Sequence, residues 1–478
     1  MWGPLQNLSP LLAEYVKICS LYGVGYYYIP GTDTCIKIGG YVRFAAHHNM
    51  VGGHYADRNP TGNDGTFTRN ANTFGMEARL RLTTDVRTQT EYGTLRSYFA
   101  FGVNALNAGG AVNGAVSTAV LAMERAFIQF AGFTIGRSDT FFAFYNGAAY
   151  GLIPMFTDGS SGPSGHNVFA YTWQFGNGLS ASLSLEDAGA RIKPIADLNT
   201  ADLFGSFAAS DRSGGHIPDI VGNLRVDQAW GSAQIMGGLA AVRANYFTGS
   251  PGAACGNTTN CGHPGDEWGW GVGAGLTLKM PWDAKDTLSG VIAYAKGATG
   301  FVSHTNGQNF IHRDGIALGA QTDAVFANPG AIAGYGGGLE LTEAWGGTVA
   351  FEHYWTPALR TSWVFGYISV EYGDTAKALI AAGNCSGVNS RFVNGSVTNC
   401  DPDYSLMRIA SRTMWNPVAN LDVGLEVAYT KVDTAFGGTA NLAASPAGYA
   451  AGLAPGPYSI EDQSFWSASV RVQRNFWP

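Results

Sequence analysis

Apolar and polar residues alternate one by one along much of this chain. Between Cys35 and Phe44, Ile36, Ile38, Val42 and Phe44 share one face, and Lys37, Tyr41 and Arg43 share the other. Between Met76 and Thr88, Ala78, Leu80, Leu82 and Val86 face away from Glu77, Arg79, Arg81, Thr83, Asp85 and Arg87. Leu179, Ala181, Leu183 and Leu185 alternate with Ser180, Ser182, Ser184 and Glu186. Leu421, Val423, Leu425, Val427 and Tyr429 alternate with Asp422, Gly424, Glu426, Ala428 and Thr430. The last run sets Trp466, Ala468, Val470, Val472 and Phe476 against Ser467, Ser469, Arg471, Gln473 and Asn475, with Arg474 breaking the pattern at its end. A two-residue period is that of a strand whose faces meet two different surroundings.

The connections between these runs alternate in length. Short ones fall at Ala131-Gly132, Gly176-Asn177-Gly178, Trp230-Gly231-Ser232, 280–285, Thr356-Pro357-Ala358 and 416–420. Long ones fall around 48–66, 103–119, 138–167, 188–218, 244–266, 299–344, 371–402 and 435–462. This rhythm predicts an all-β fold: a transmembrane antiparallel β-barrel of about sixteen strands, an even number as in bacterial single-chain barrels. Residues 1–34 are expected to form an N-terminal periplasmic segment leading into the first strand, and 35–478 the barrel. Short turns then lie on the periplasmic side and long loops outside. Loop 138–167 follows the hairpin Phe127 to Arg137 and stands apart. It carries Phe141, Phe142, Phe144, Tyr145, Tyr150, Ile153, Met155 and Phe156, and no Lys or Arg. A loop of this length and composition is expected to pack against something; here it is expected to fold into the barrel as a constriction loop.

Composition sharpens the picture. Only 13% of the 478 residues are charged, 13% are aromatic and 66 are Gly. Soluble proteins carry roughly 25% charged residues. No run reaches the roughly 18 apolar residues of a spanning helix. Trp173, Phe175, Trp230, Trp268, Trp282, Trp355, Trp415 and Trp466 lie near predicted strand ends, where interfacial girdles belong. A net charge of −7 argues against a nucleic-acid partner. The cysteines fall in three sequence-local pairs, Cys19/Cys35, Cys255/Cys261 and Cys385/Cys400, without CxxC spacing or neighbouring His ligands. Three local disulfides in an oxidising compartment are expected, and no metal. Met1 to Ser20 lacks the basic start and apolar core of a signal peptide, so export is inferred from the barrel pattern.

Two stretches carry a resemblance. One runs Cys19-Ser-Leu-Tyr-Gly-Val-Gly-Tyr-Tyr-Tyr-Ile-Pro-Gly-Thr-Asp-Thr-Cys35, followed by Ile-Lys-Ile-Gly-Gly-Tyr41-Val-Arg43. The other is the hairpin Arg125-Ala-Phe-Ile-Gln-Phe-Ala-Gly-Phe-Thr-Ile-Gly-Arg137. Both resemble the alphaproteobacterial general porins of the Brucella and rhizobial type, the second at the strand that feeds the constriction loop. The resemblance implies a 16-stranded homotrimer in the outer-membrane lipid that passes ions and small hydrophilic solutes. Such porins end on the Phe read by the outer-membrane assembly machinery; this chain ends Phe476-Trp477-Pro478.

Candidate pore chemistry follows from charge placement. Lys37, Arg43, Arg79, Arg81, Arg96 and Arg125 share the inward phase of the early strands, and Asp139 and Asp158 are the acids of the long loop. Basic wall and acidic loop are expected to face each other at the constriction and to set ion preference. Glu77, Asp85 and Glu124 are the alternative partners for these arginines. Catalytic motifs are weak: Asp158, Ser164 and His166 share a loop but no G-x-S-x-G elbow exists. Gly271-x-Gly273-x-Gly275 leads into a strand rather than a helix, so it is no dinucleotide fingerprint. His47, His48 and His54 read as loop histidines. The expectation is a passive, cofactor-free channel. A channel tuned to one solute class, such as sugars sliding along Phe141, Phe142, Phe144 and Tyr145, is the alternative; a barrel lipid hydrolase, an adhesin and a soluble all-β enzyme follow behind.

Overall fold

The computed structural model describes residues 17–49, 74–107, 120–144, 150–152, 155, 157–160, 165–199, 203, 210–248, 258–303, 315–385, 396–442 and 456–476. Sixteen antiparallel strands close into one barrel. In chain order they are β1 (Cys35–His48), β2 (Phe74–Thr90), β3 (Gly93–Asn107), β4 (Val120–Phe130), β5 (Phe133–Ser138), β6 (His166–Gly176), β7 (Leu179–Glu186), β8 (Asp219–Gln228), β9 (Gly231–Val242), β10 (Glu267–Lys279), β11 (Thr287–Lys296), β12 (Glu343–Thr356), β13 (Leu359–Glu371), β14 (Tyr404–Trp415), β15 (Leu421–Asp433) and β16 (Gln463–Asn475). Each strand pairs with its neighbours in sequence, and β16 pairs with β1 from Tyr41↔Asn475 to His48↔Ala468. Closure leaves no unpaired edge, which is the condition for crossing a bilayer with strands. No helix of the described residues is long and apolar enough to cross a membrane.

The surface is inverted relative to a soluble protein. Val42, Phe44, Leu80, Ile128, Leu183, Ile235, Val272, Ile292, Val349, Ile409 and Val470 are exposed on the outer wall. Glu77, Arg79, Thr83, Ser184, Gln234, Ser289, Thr348, Arg408, Glu426 and Ser469 are buried on the inner one. The pattern of alternation therefore sorts residues between lipid and lumen rather than between water and core. The tryptophans and Phe175 named above are all exposed, mostly beside the short turns.

Turn chemistry fixes the register. Ala131-Gly132 (φ 49° and 89°) and Asn177-Gly178 (φ 50° and 72°) place both central residues in the left-handed region. That is the tight hairpin geometry whose twist matches the strands. The long connections carry structure of their own. Ala324–Phe326 pairs in parallel with Ile195–Asp197 and antiparallel with Glu340–Leu341. A helix α1 (Asp374–Ile380) buries Ala376, Leu379 and Ile380. Gly438–Leu442 and Gly456–Ile460 form a ribbon. Residues 315–326 are buried without interruption.

Candidate functional site: the lumen and the loop across it

The described residues of 139–165, which follow β5, lie against the inner wall. The N–H of Phe141 donates to Glu186 Oε1 at 2.8 Å, and Asn223 Nδ2 donates to the Phe141 carbonyl at 2.6 Å. Gln234 reaches the Ala143 carbonyl at 3.3 Å. Tyr150 meets Thr287 through their hydroxyls at 3.0 Å, and Ser362 donates to the Tyr150 carbonyl at 2.5 Å. The Leu152 N–H donates to the Glu426 carboxylate, and the Thr157 and Thr348 hydroxyls meet at 2.9 Å. These partners sit on β7, β8, β9, β11, β13, β15 and β12, so the loop is laced to the inner wall over more than half its circumference. Phe144 lies over Gly275, Met155 over Gly366 and Leu152 over Gly424. The described residues of the loop are thus held by hydrogen bonds through their backbone and hydroxyl groups and by apolar contacts.

The remaining wall is basic. Arg79 donates from Nε to the Tyr41 hydroxyl at 2.9 Å and pairs with Glu124. Arg81 Nε lies 2.8 Å from the other oxygen of Glu124. Arg43 donates to Gln473 Oε1 at 2.8 Å, its guanidinium 4.7 Å from the centre of the Tyr41 ring. Strict alternation forbids Glu124 and Arg125 from both facing inward. A bulge opposite Ala100 and Phe101 adds one residue to β4, and both side chains become buried on the lumen side. Arg125 then pairs with Asp139, whose side chain stays exposed.

Across the seam the row continues. Arg471 on β16 is the register partner of Ala45 and of Gly424. Arg412 lies 2.5 Å from Glu352, and Arg360 lies 3.5 Å from the same carboxylate oxygen. Arg408 pairs with Glu426 at 3.0 Å. Leu152 of the loop rests on Gly424 at the level of Arg471. Arg360, Arg408, Arg412 and Arg471 are not among the residues expected from the early strands. The signal was present, since Arg471 stands in the polar phase of the last run; barrel closure is what sets it beside Arg43.

Three expected constriction residues lie elsewhere. Asp158 is fully buried, and its carboxylate accepts the Phe144 N–H at 3.1 Å and the Ser160 N–H at 3.4 Å. It ties one part of the loop to another instead of facing the arginines. Lys37 and Arg96 sit toward the short-turn rim. Lys37 donates to the Val24 carbonyl at 3.1 Å, and Arg96 grips Asp85 at 2.8 Å together with Arg87 at 2.9 Å. There the segment before β1 forms a knot. Cys19 is disulfide-bonded to Cys35, Tyr26 packs beside them, and the Arg87 guanidinium lies 5.6 Å and 5.1 Å from the Tyr22 and Tyr26 rings. Burial, followed by a hydrogen bond to Asp85, pushes the Tyr26 phenol up to about 12.

The other cysteines divide. Cys385 and Cys400 are joined across the β13–β14 loop. Cys261 is disulfide-bonded, and its expected partner Cys255 lies outside the described residues. Ser164, His54 and Tyr145 also lie outside them. His47 hydrogen-bonds Ser469 at 2.9 Å. Phe142 is fully buried against Phe301, so it is not available to a sugar slide.

A closed strand cylinder, apolar outside and charged inside, with a loop laced across its interior, has the architecture of an outer-membrane barrel protein. The model of the family described as the porin subfamily matches residues 9–450, and the chain belongs to that family. Its place is the bacterial outer membrane. Porin Omp2b of Brucella suis biovar 1 (strain 1330) is 32% identical over 232 residues, which is 47% of this chain and 56% of that protein. Porin Omp2b of Brucella abortus (strain 2308) is 31% identical over the same shares. The chain thus spans about half the length of the curated relatives it matches. The outer membrane channel DcaP of Acinetobacter baumannii shares the fold, with a TM-score of 0.56 and 16% identity over 94% of this chain and 99% of that one.

Proposed function

We propose that this chain forms a water-filled outer-membrane channel for passive diffusion of ions and small hydrophilic solutes, with short turns in the periplasm and long loops outside. Residues 17–34 would then sit at the periplasmic mouth. The observation that carries the reading is the transverse row of arginines on β1, β2, β13, β14 and β16 opposite a loop that crosses the lumen. Charge is costly inside a bilayer unless it lines water, and this row lines the barrel interior. Low-dielectric walls focus the field of such a row. Arg43 hydrogen-bonds an amide rather than a carboxylate, and Arg471 has no ion pair among the described residues. Both lie on the lumen side, where the buried Glu77 carboxylate is close enough to act on each of them. With Asp139 the exposed acid of the crossing loop, the channel is expected to favour anions modestly. The family points to a channel rather than an enzyme.

A homotrimer is part of the proposal. Tryptophans ring the outer wall from β6 onward, but none occurs between residues 35 and 138. Strands β1–β5 instead offer Val42, Phe44, Leu80, Leu121, Met123 and Ile128. An apolar sector without interfacial tryptophans suits burial against other copies.

The test is bilayer recording of the refolded protein in a salt gradient. Step-like conductance with a reversal potential on the anion side is expected. Arg81→Ala and Arg471→Ala should each move that potential toward cations. Sealed bilayers after verified insertion would overturn the channel reading.

A further inference from the structure

The glycine motif that matched no nucleotide-binding pattern has a different use. On β10 the outward phase is Trp270, Val272, Ala274 and Leu276, so the inner face is Gly269, Gly271, Gly273 and Gly275. Glycine inside a strand weakens it and marks close approach by another group. Each of these four is approached. A Cβ on Gly269 would stand 2.6 Å from the Gly297 backbone, and one on Gly271 would stand 2.8 Å from Phe301 Cβ. One on Gly273 would stand 2.8 Å from Met236 Cε, and one on Gly275 would strike the Phe144 ring. Gly238 on β9 is likewise covered by the Phe301 ring.

Phe301 belongs to the β11–β12 connection, in the short turn Thr299–Phe301. It is 1% exposed. Its other side meets the crossing loop: the Phe142 ring centre is 4.7 Å away, and a Cβ on Gly159 would stand 3.2 Å from Phe301 Cα. The Arg191 guanidinium lies 4.6 Å from the Phe301 ring and donates to Thr140 of the crossing loop at 2.8 Å. Wall, Phe301 and loop are therefore stacked in that order. Over Gly238 and Gly271 it is Phe301 that stands between loop and wall, while further along β10 Phe144 of the loop rests on Gly275 itself.

We propose that Gly271 of β10 and Gly238 of β9 form a seat on the inner wall and that Phe301 is the spacer held in it. The thickness of the spacer sets how far the crossing loop stands from the wall, and so the width of the water path. Phe301 is a positioning residue for permeation; this rests on the channel reading above. Removing its ring lets the loop relax partway toward β9 and β10, as packing around a deleted side chain does. Adding a methyl at Gly271 pushes Phe301, and the loop with it, into the path.

Single-channel recording of variants tests this, with folding checked by heat-dependent gel mobility. Phe301→Ala should raise conductance by roughly a quarter to a half, and Gly271→Ala should lower it by a similar fraction, because conduction follows the narrowest section. The double variant should return toward the parent value. Phe326→Ala deletes a ring from a separate cluster around Ile195 and Val242 and should leave conductance unchanged. If Gly271→Ala does not fold, the order Ala above Leu above Phe at position 301 carries the test. Unchanged conductance in Phe301→Ala, or an equal change in Phe326→Ala, overturns the proposal. A parent protein that conducts nothing overturns the channel reading instead.

Discussion

Glu124 owes its position to the one extra residue in β4. It accepts Arg79 and Arg81 at once while 2% exposed, so it is the anion that allows two guanidinium groups to share one stretch of wall. Removing one member of a buried ion pair costs about 3–5 kcal/mol, mostly by stranding the other. Glu124→Gln is therefore expected to lower the unfolding free energy read from urea denaturation of the refolded protein by about 3 kcal/mol, near the bottom of that range, since Arg81 is partly exposed. The same variant should raise anion preference in a salt gradient, which a purely structural loss would not do. At this scale the sequence was readable where alternation was strict, as at Arg43, Arg79 and Arg81. It was not readable at the bulge, because a two-residue period has no symbol for an inserted residue. Asp158 was misread for another reason: a carboxylate that caps its own loop's N–H groups looks, in sequence, like one that faces a pore.

The N-terminal knot shows what an element adds to its residues. Its disulfide was legible from the pairing of Cys19 with Cys35; the stacking of Arg87 on Tyr22 and Tyr26 was not, because it depends on β2 lying beside β1. Tyr26 gives the knot a pH signature. Its pKa is raised in the docked knot from 10.0 to about 12, so docking contributes fully below pH 10 and is lost as pH climbs through about 12. Ultraviolet titration of Tyr26→Phe should show one phenol fewer titrating near pH 12 than the parent protein does. If the number of phenols titrating near pH 12 is the same in parent and variant, Asp85 does not hold this hydroxyl. The β11–β12 connection was the least legible element. It reads as a long outer loop, yet residues 315–326 are buried among other loops. Its partners are segments of other long connections, at Ile195–Asp197, Ala435 and Ile460, and a two-residue rhythm along the chain does not reveal them.

For the whole molecule, strand count, turn positions and inside-out polarity were all written in the two-residue rhythm, because lipid and water impose opposite demands on successive side chains. The proposed assembly between copies would leave a fainter trace, the tryptophan gap over β1–β5. If that gap marks contact between protomers, Leu80→Arg should yield monomers on unheated gels and replace triple conductance steps with single ones. A β1–β5 face in lipid would instead leave the steps unchanged and cost about 2–4 kcal/mol at the bilayer midplane. The seam between the first and last strands has one more effect. The hydrogen bond from Arg43 to Gln473 joins residues 430 positions apart. No partly synthesised chain can finish this cylinder, and any product lacking its last strand keeps two sticky margins. The join thus acts as a length gauge: only a chain delivered whole can stop being adhesive.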